Sequence, residues 1–276
     1  KNGGRKKLTL NNYQLKELVA QSLTEDIGSG DVTTEALISP TDITTGYIKT
    51  KASGVIVGLE VVKAVFEHLS SDVELECLVQ EGEEVKAGVK IATIKGPTAA
   101  ILTGERVALN FLQRLSGIAT KTAQFCKLVE DYNVRLVDTR KTTPGLRSLE
   151  KYAVKVGGGH NHRSGLYDAV MIKDNHIAAV GSITQAVKEA RANISHTTKI
   201  EVETESLVQV KEALQAKADI IMLDNMDIEL MKEAVTLIGD QAIIEASGGI
   251  NQDTIKSVAQ TGVDVISLGT LTHTIT

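Results

Sequence analysis

From residue 134 onward the chain repeats one unit: a short apolar run, a polar break, then a stretch with apolar residues at helical spacing. The apolar runs fall at 134–138, 169–172, 199–202, 220–223, 242–245 and 263–268. Helical stretches fall between the later ones, at 183–192, 206–216, 228–238 and 251–260. Continuous apolar strands alternating with helices must be buried on both faces, which is the requirement of parallel strands covered by helices. The regular spacing and short connections predict a barrel of the (β/α) kind rather than an open doubly wound sheet. Six evident runs are fewer than the eight of a closed barrel, so an incomplete barrel is expected.

The first part of the chain reads as α+β. Residues 11–23 space Tyr13, Leu15, Leu18, Val19 and Leu23 at helical intervals, with Asn11 or Asn12 as the cap. Strand-like stretches follow at 45–51, 54–58, 73–79 and 90–94, interrupted by a helix over 60–69. A long helix is predicted over 99–123. On it Ala108, Phe111, Leu112 and Leu115 share one face, while Arg106, Asn110 and Gln113 share another. Arg106 is therefore either solvated or reaches a neighbouring subunit. The expected division is an N-terminal domain over 1–110 and a barrel domain over 111–276.

Composition narrows the function. Aromatics are 3% of residues with no Trp, which argues against stacking platforms for single-stranded nucleic acid. A net charge of -5 suits neither nucleic acid nor an anionic membrane. No apolar run reaches the roughly 18 residues of a membrane helix. The basic start Lys1 to Lys7 lacks the apolar stretch of a secretory signal. Cys77 and Cys126 are too few for a disulfide framework, so a reducing, cytoplasmic setting is expected.

Polar residues follow almost every strand of the repeating region. They are Asp138-Thr139-Arg140-Lys141-Thr142, Lys173-Asp174-Asn175-His176, Glu201 with Glu203, Asp224-Asn225, Glu245 with Ser247-Gly248-Gly249, and Leu268-Gly269-Thr270. The C-terminal ends of parallel barrel strands open on one face, so these residues are expected to share one mouth. Between residues 140 and 176 lie Arg140, Lys141, Arg147, Lys151, Lys155, Arg163 and Lys173 against Glu150, Asp168 and Asp174. Such a basic cluster in an acidic chain points to a small, multiply charged anion, and Arg suits planar carboxylates. Arg147, Lys151 and Lys155 lie on a helix and read as solvated cations.

His160-Asn161-His162 has a metal-like spacing, but the adjacent Arg163 repels a cation, and anion recognition is preferred. Glu203 and Asp224 either hold Mg²⁺ through its waters, stabilise developing positive charge, or pair with Lys141 and Lys173. The glycines after the last two strands suit a phosphate. No credible Ser-His-Asp or Cys-His arrangement is present. The stretch from Val79 to Gly88 is similar to the hammerhead of biotin and lipoyl carriers, but Lys86 lacks a carrier lysine's setting, so it reads as a structural hairpin.

Taken as an ordered set, these motifs resemble the quinolinate phosphoribosyltransferase family. They include Glu25 to Asp31, Gly104-Glu105-Arg106 with Asn110-Phe111-Leu112, Asp138 to Gly145, and Gly157-Gly158-Gly159-His160-Asn161-His162-Arg163. Ile172 to His176, Glu201-Val202-Glu203, Leu223-Asp224-Asn225 and Glu245-Ala246-Ser247-Gly248-Gly249 complete the set. The resemblance implies an N-terminal α/β sandwich domain and an open barrel of about seven parallel strands. It implies a homodimer or higher oligomer that joins quinolinate to 5-phosphoribosyl-1-pyrophosphate (PRPP) with Mg²⁺. CO₂ and pyrophosphate are released and nicotinate mononucleotide is formed, in de novo NAD biosynthesis. By the same resemblance Arg140, His162, Arg163 and Lys173 bind the quinolinate carboxylates, with Arg106 lent by the partner subunit. Lys141 and Thr142 line the site, and Glu203 and Asp224 hold the ribose and Mg-pyrophosphate region. Lys141, Lys173, Glu203 and Asp224 are the implied catalytic set, while Ser247, Gly248, Gly249, Leu268, Gly269 and Thr270 take the phosphate. A sister protein with the same barrel and another base is the nearest rival, and the intact Arg140, His162, Arg163 and Lys173 set favours quinolinate. Family chains continue past Leu271-Thr272-His273 with a further strand, so a longer natural chain is expected.

Overall fold

Asn11 accepts the N–H of Tyr13 on its side chain and so starts α1 (Asn12–Ile27), which Gly28 stops at φ 55°. A computed structural model describes residues 11–274 of the chain; the basic start Lys1 to Lys7 lies outside them. Asp31 takes both the N–H and the hydroxyl of Thr34, at 3.0 and 2.6 Å, and caps α2 (Val32–Leu37). Then come β1 (Ile43–Lys49), β2 (Gly54–Val55), α3 (Leu59–Leu69), β3 (Glu74–Cys77), β4 (Glu84–Val85), β5 (Lys90–Pro97) and the long α4 (Thr98–Leu128). β1, β5 and β3 form an antiparallel sheet in that order, and β2 pairs with β4.

α3 buries Val61, Val62, Val65 and Phe66, one helical stripe. Its first turn begins at Gly58, which has no side chain to cap it. The Glu81 carboxylate takes that role, accepting the N–H groups of Gly58 and Leu59 at 2.7 and 3.1 Å and the Tyr152 hydroxyl at 3.2 Å. Burial lifts the Glu81 pKa, and these hydrogen bonds oppose the lift. The carrier-like segment is thus structural but not a hairpin on itself: its strand β4 pairs with β2, and its Glu81 anchors α3. Gly104 on α4 lies so close to α3 that a Cβ there would meet Leu69 at 2.7 Å.

The alternating region gives β6 (Arg135–Val137), α5 (Arg147–Val156), β7 (Val170–Ile172), α6 (Asp174–Val180), α7 (Ile183–Asn193) and β8 (Ile200–Thr204). It continues with α8 (Leu207–Gln215), β9 (Ile220–Asp224), α9 (Ile228–Ile238), β10 (Ile243–Ser247), α10 (Ile255–Ala259), β11 (Val265–Ser267) and α11 (Thr270–His273). Ser182, Ser206 and Asp227 cap α7, α8 and α9 by accepting the N–H three residues on. α10 is shorter than its apolar pattern, because Asn251 Oδ1 takes the N–H groups of Asp253 and Thr254 and forms a turn instead.

Among the described residues six parallel strands run in the order β6-β11-β10-β9-β8-β7. On the free side of β6 the chain adds one parallel bridge, between Val137 and His160. Among the described residues a seventh position exists only as this single pairing, β7 is not joined to it, and the barrel is open.

The described residues up to Lys121 form one compact unit with Pro144–Gly157, and Thr122–Thr143 with Gly158–Thr274 form the other. Residue 110, the division read from sequence, falls inside α4. In the first unit α5 is tied to α4 by the buried Glu150, which pairs with Arg114 at 2.6 Å. Lys151, read above as solvated, is buried on the same helix.

Candidate active site

Side chains two apart on a strand share a face. That rule places Met171 with Lys173, Glu201 with Glu203, Met222 with Asp224, and Glu245 with Ser247, each pair on one face of adjoining strands. The second member of each pair stands within one residue of the C-terminal strand end. There a cavity of about 720 Å³ opens within the barrel unit. Arg140, Lys141, His162, Arg163, Lys173, Glu203, Asp224, Ser247, Gly248, Gly249, Leu268, Gly269 and Thr270 all line it. Thr142 does not: it is half-buried, with its N–H on the Arg140 carbonyl. Arg106 is exposed on α4 and is also absent from the lining.

One wall is cationic. Burial, then the like charge of Arg140, pulls the Arg163 guanidinium pKa below its usual value, with Glu201 and Asp168 opposing. Two guanidinium groups thus face one space. Arg163 is aimed by hydrogen bonds to the Ala169 carbonyl at 3.2 Å and to Met171 Sδ at 3.5 Å. Lys173 forms an ion pair with Glu203, one of the pairings weighed from sequence. Its own N–H is held by His176 Nδ1 at 3.0 Å, which fixes the turn into α6.

Another part of the lining is built of backbone. Gly248 and Gly249 have φ of 94° and 61°, and Asn225 is also left-handed at 53°. Asn225 donates its N–H to Ser247 at 2.9 Å and its amide to Asp224 at 2.7 Å. A Cβ on Gly248 would stand 2.2 Å from Asn225 Oδ1, so only glycine lets the two loops meet. Thr272 ties this side to the basic loop through a 2.7 Å hydrogen bond to the Lys141 carbonyl.

Beneath the mouth lies a buried acid cluster. His162 Nε2 stands 3.2 Å from Glu201 Oε2 and 3.3 Å from Glu245 Oε2, and both glutamates are 2% exposed. Burial alone would lower the imidazole pKa, but the hydrogen bonds and charges of the two glutamates outweigh it and hold it up at about 10. Burial and the charge of Glu245 also raise Glu201, against the pull of His162. His162 Nδ1 stands 2.8 Å from the backbone N of Arg163, so the Nε2–H is the donor that the two glutamates share. Both ring nitrogens of His162 are therefore engaged within the protein. Asp138, fully buried at the end of β6, aims this loop by accepting Asn161 Nδ2 at 2.6 Å and the His162 N–H at 2.9 Å.

One ligand atom from each of His162, Glu201 and Glu245 falls within 4.8 Å of the others, the spacing of a metal site. A cation at Nε2 would require the ring proton on Nδ1, against the Arg163 N–H. The tautomer favours a shared proton over an ion.

Comparison with known proteins decides the family. The model for "Quinolinate phosphoribosyl transferase, C-terminal domain" matches residues 118–276, and that for the N-terminal domain matches residues 31–116. The chain belongs to the quinolinate phosphoribosyltransferase family. A Bacillus subtilis relative named "Probable nicotinate-nucleotide pyrophosphorylase (carboxylating)" is 45% identical over 96% of this chain and 92% of its own length. A Synechocystis relative of the same name is 48% identical over 90% of this chain and 84% of its own. The solved nicotinate-nucleotide pyrophosphorylase of Francisella tularensis superposes with a TM-score of 0.93 at 40% identity, covering 97% of this chain and 95% of that one. Membership accounts for the α/β unit followed by an open parallel barrel.

Sequence reasoning put Glu201 and Glu245 at strand ends but assigned them no role, and left Asp138, Asn225 and His273 unassigned. The period-two rule would have paired Glu201 with Glu203 and Glu245 with Ser247. Nothing in the sequence shows that His162 reaches both glutamates.

Proposed function

We propose that this quinolinate phosphoribosyltransferase family member transfers the phosphoribosyl group of PRPP to quinolinate and releases pyrophosphate and CO₂. Nicotinate mononucleotide, a precursor of NAD, is the product. The observation that carries this reading is the meeting of Arg140, Arg163 and Lys173 with Glu203, Asp224 and the glycine loops around one cavity.

Arg140, Arg163 and Lys173 take the two carboxylates, each charge-assisted bond contributing roughly 1.5–3 kcal/mol. His162, engaged at both nitrogens, supports the floor beneath them. Loss of pyrophosphate from C1 of the ribose leaves an oxocarbenium-like centre, which the pyridine nitrogen attacks. Positioning of that nitrogen is much of the catalysis. Glu203 and Asp224 face the cationic ribose and the Mg-pyrophosphate, and Lys141 meets the pyrophosphate. The carboxylate oxygens of Glu203 and Asp224 are hard donors that would hold Mg²⁺ through its waters, and the bound ion would supply positive charge opposite the leaving pyrophosphate. Peptide N–H groups of Ser247, Gly248, Gly249, Leu268, Gly269 and Thr270 receive the 5-phosphate. Thr142 holds the Arg140 loop in shape. Arg106, exposed on α4, completes the site of a partner subunit in a homodimer. The two cysteines, both without a disulfide, suit the cytoplasm.

The test supplies quinolinate, PRPP and Mg²⁺ and measures CO₂ and nicotinate mononucleotide together. Equal release of both is expected. Turnover of nicotinate in place of quinolinate, with no CO₂, would overturn the reading.

A further inference from the structure

Two buried carboxylates beneath a pocket for a dianion are costly and need a reason. Glu201 and Glu245 are both 2% exposed, share one imidazole, and each keeps an Oε1 with no hydrogen-bond partner. One imidazole between them, even as a cation, cannot neutralise two carboxylates. Negative charge therefore stays in the floor. Glu245 and His162 line the same cavity as Arg163, Lys173, Met171 and Met222, and the floor stands one pleat below Glu203 and Ser247.

We propose that the Glu201–Glu245 pair is the electrostatic element that favours the cationic pyridinium ring formed during the reaction. The inference rests on the reading of the reaction above. Quinolinate enters with a neutral ring. As the ring nitrogen bonds to C1 and the C1–oxygen bond to pyrophosphate breaks, the ring gains a full positive charge. The bond from C2 to its carboxylate then breaks, its electron pair stays on C2, neutral CO₂ leaves, and C2 takes a proton from water. A fixed negative charge in a low-dielectric floor is stronger than in water and needs no reorganisation. It repels the incoming dianion and attracts the pyridinium, so it acts on the transition state rather than on substrate binding. The three cationic side chains offset the repulsion in the ground state.

Glu245→Gln and Glu201→Gln keep shape and remove charge. Each is expected to lower kcat about ten- to a hundredfold while quinolinate binding, followed by calorimetry without PRPP, is unchanged or tighter. Glu245→Asp, which restores the charge, should recover part of kcat. Unchanged kcat, or binding that weakens in step with kcat as in a collapsed pocket, overturns the proposal. A second measurement needs no variant. Wild-type protein should bind 1-methylpyridinium-2,3-dicarboxylate about tenfold or more tighter than benzene-1,2-dicarboxylate, the same diacid without ring charge. Equal affinity, or a preference for the neutral ring, overturns it, and this comparison decides alone if the glutamine variants do not fold. Wild-type turnover of quinolinate without this preference sinks only the electrostatic role. Absence of turnover sinks the reading of the reaction itself.

Discussion

Asp138→Asn tests how the barrel holds its binding loop. The Asp138 side chain is fully buried, and its two oxygens accept Asn161 Nδ2 at 2.6 Å and the His162 N–H at 2.9 Å. An amide has one oxygen. Whichever way it turns, its NH₂ faces one of these donors, so one charge-assisted bond is lost, at about 1.5–3 kcal/mol. Asn161 is exposed, so its amide can turn to water when the new NH₂ faces it, and the cost stays near that of one bond. A loss of about 1.5–3 kcal/mol is a sizeable part of the usual 5–15 kcal/mol of domain stability. The melting temperature should fall by about 3–12 °C, at about 2–4 °C per kcal/mol, when scans are run at one fixed rate. kcat/KM should fall about tenfold or more, because His162 and Arg163 follow directly on the released donor. Asp227→Asn is the control: Asp227 caps α9 from an exposed position, and Asn caps as well as Asp, so a change within about 0.5 kcal/mol is expected. An Asp138→Asn protein that melts within about 2 °C of wild type and keeps full activity would refute the reasoning.

Stability should depend on pH through the His162 cluster. An unfolded histidine loses its proton near 6.5, whereas the folded cluster holds its proton to about 10. Between those values the folded state binds more protons, so stability present in full below about pH 6.5 is lost as pH rises toward 10. His162→Gln should flatten that slope in melting experiments, and an identical slope would show that other groups cause it. Arg140→Ala should weaken quinolinate binding far more than PRPP binding; calorimetry with unchanged quinolinate affinity counts against the pocket assignment. Mixing inactive Arg106→Ala and Lys141→Ala subunits should restore part of the activity, and no recovery in a verified heterodimer would exclude shared sites.

The alternation of apolar strands and helices after residue 134 was enough to predict a parallel, incomplete barrel, because both periods are local properties of the chain. The same locality placed Arg140, Lys173, Glu203, Asp224 and Ser247 at strand ends, and a strand end in a parallel barrel has only one face to open on. The motif set carried the family. What the sequence could not express were partnerships between side chains far apart along it. Lys151 looked like a solvated cation on a helix, yet it is buried, since burial depends on what packs over a face and not on its polarity. His162 reads from sequence as an anion ligand beside Arg163; that both of its nitrogens are engaged within the protein is visible only in three dimensions.

Residue order alone determined which chemical groups stand at the mouth, for period and turn chemistry act over a few residues. Tertiary structure alone decided that Glu201 and Glu245, on strands separated by β9, meet over one imidazole. A shared proton depends on distances of about 3 Å between strands, and strand order and register set those distances.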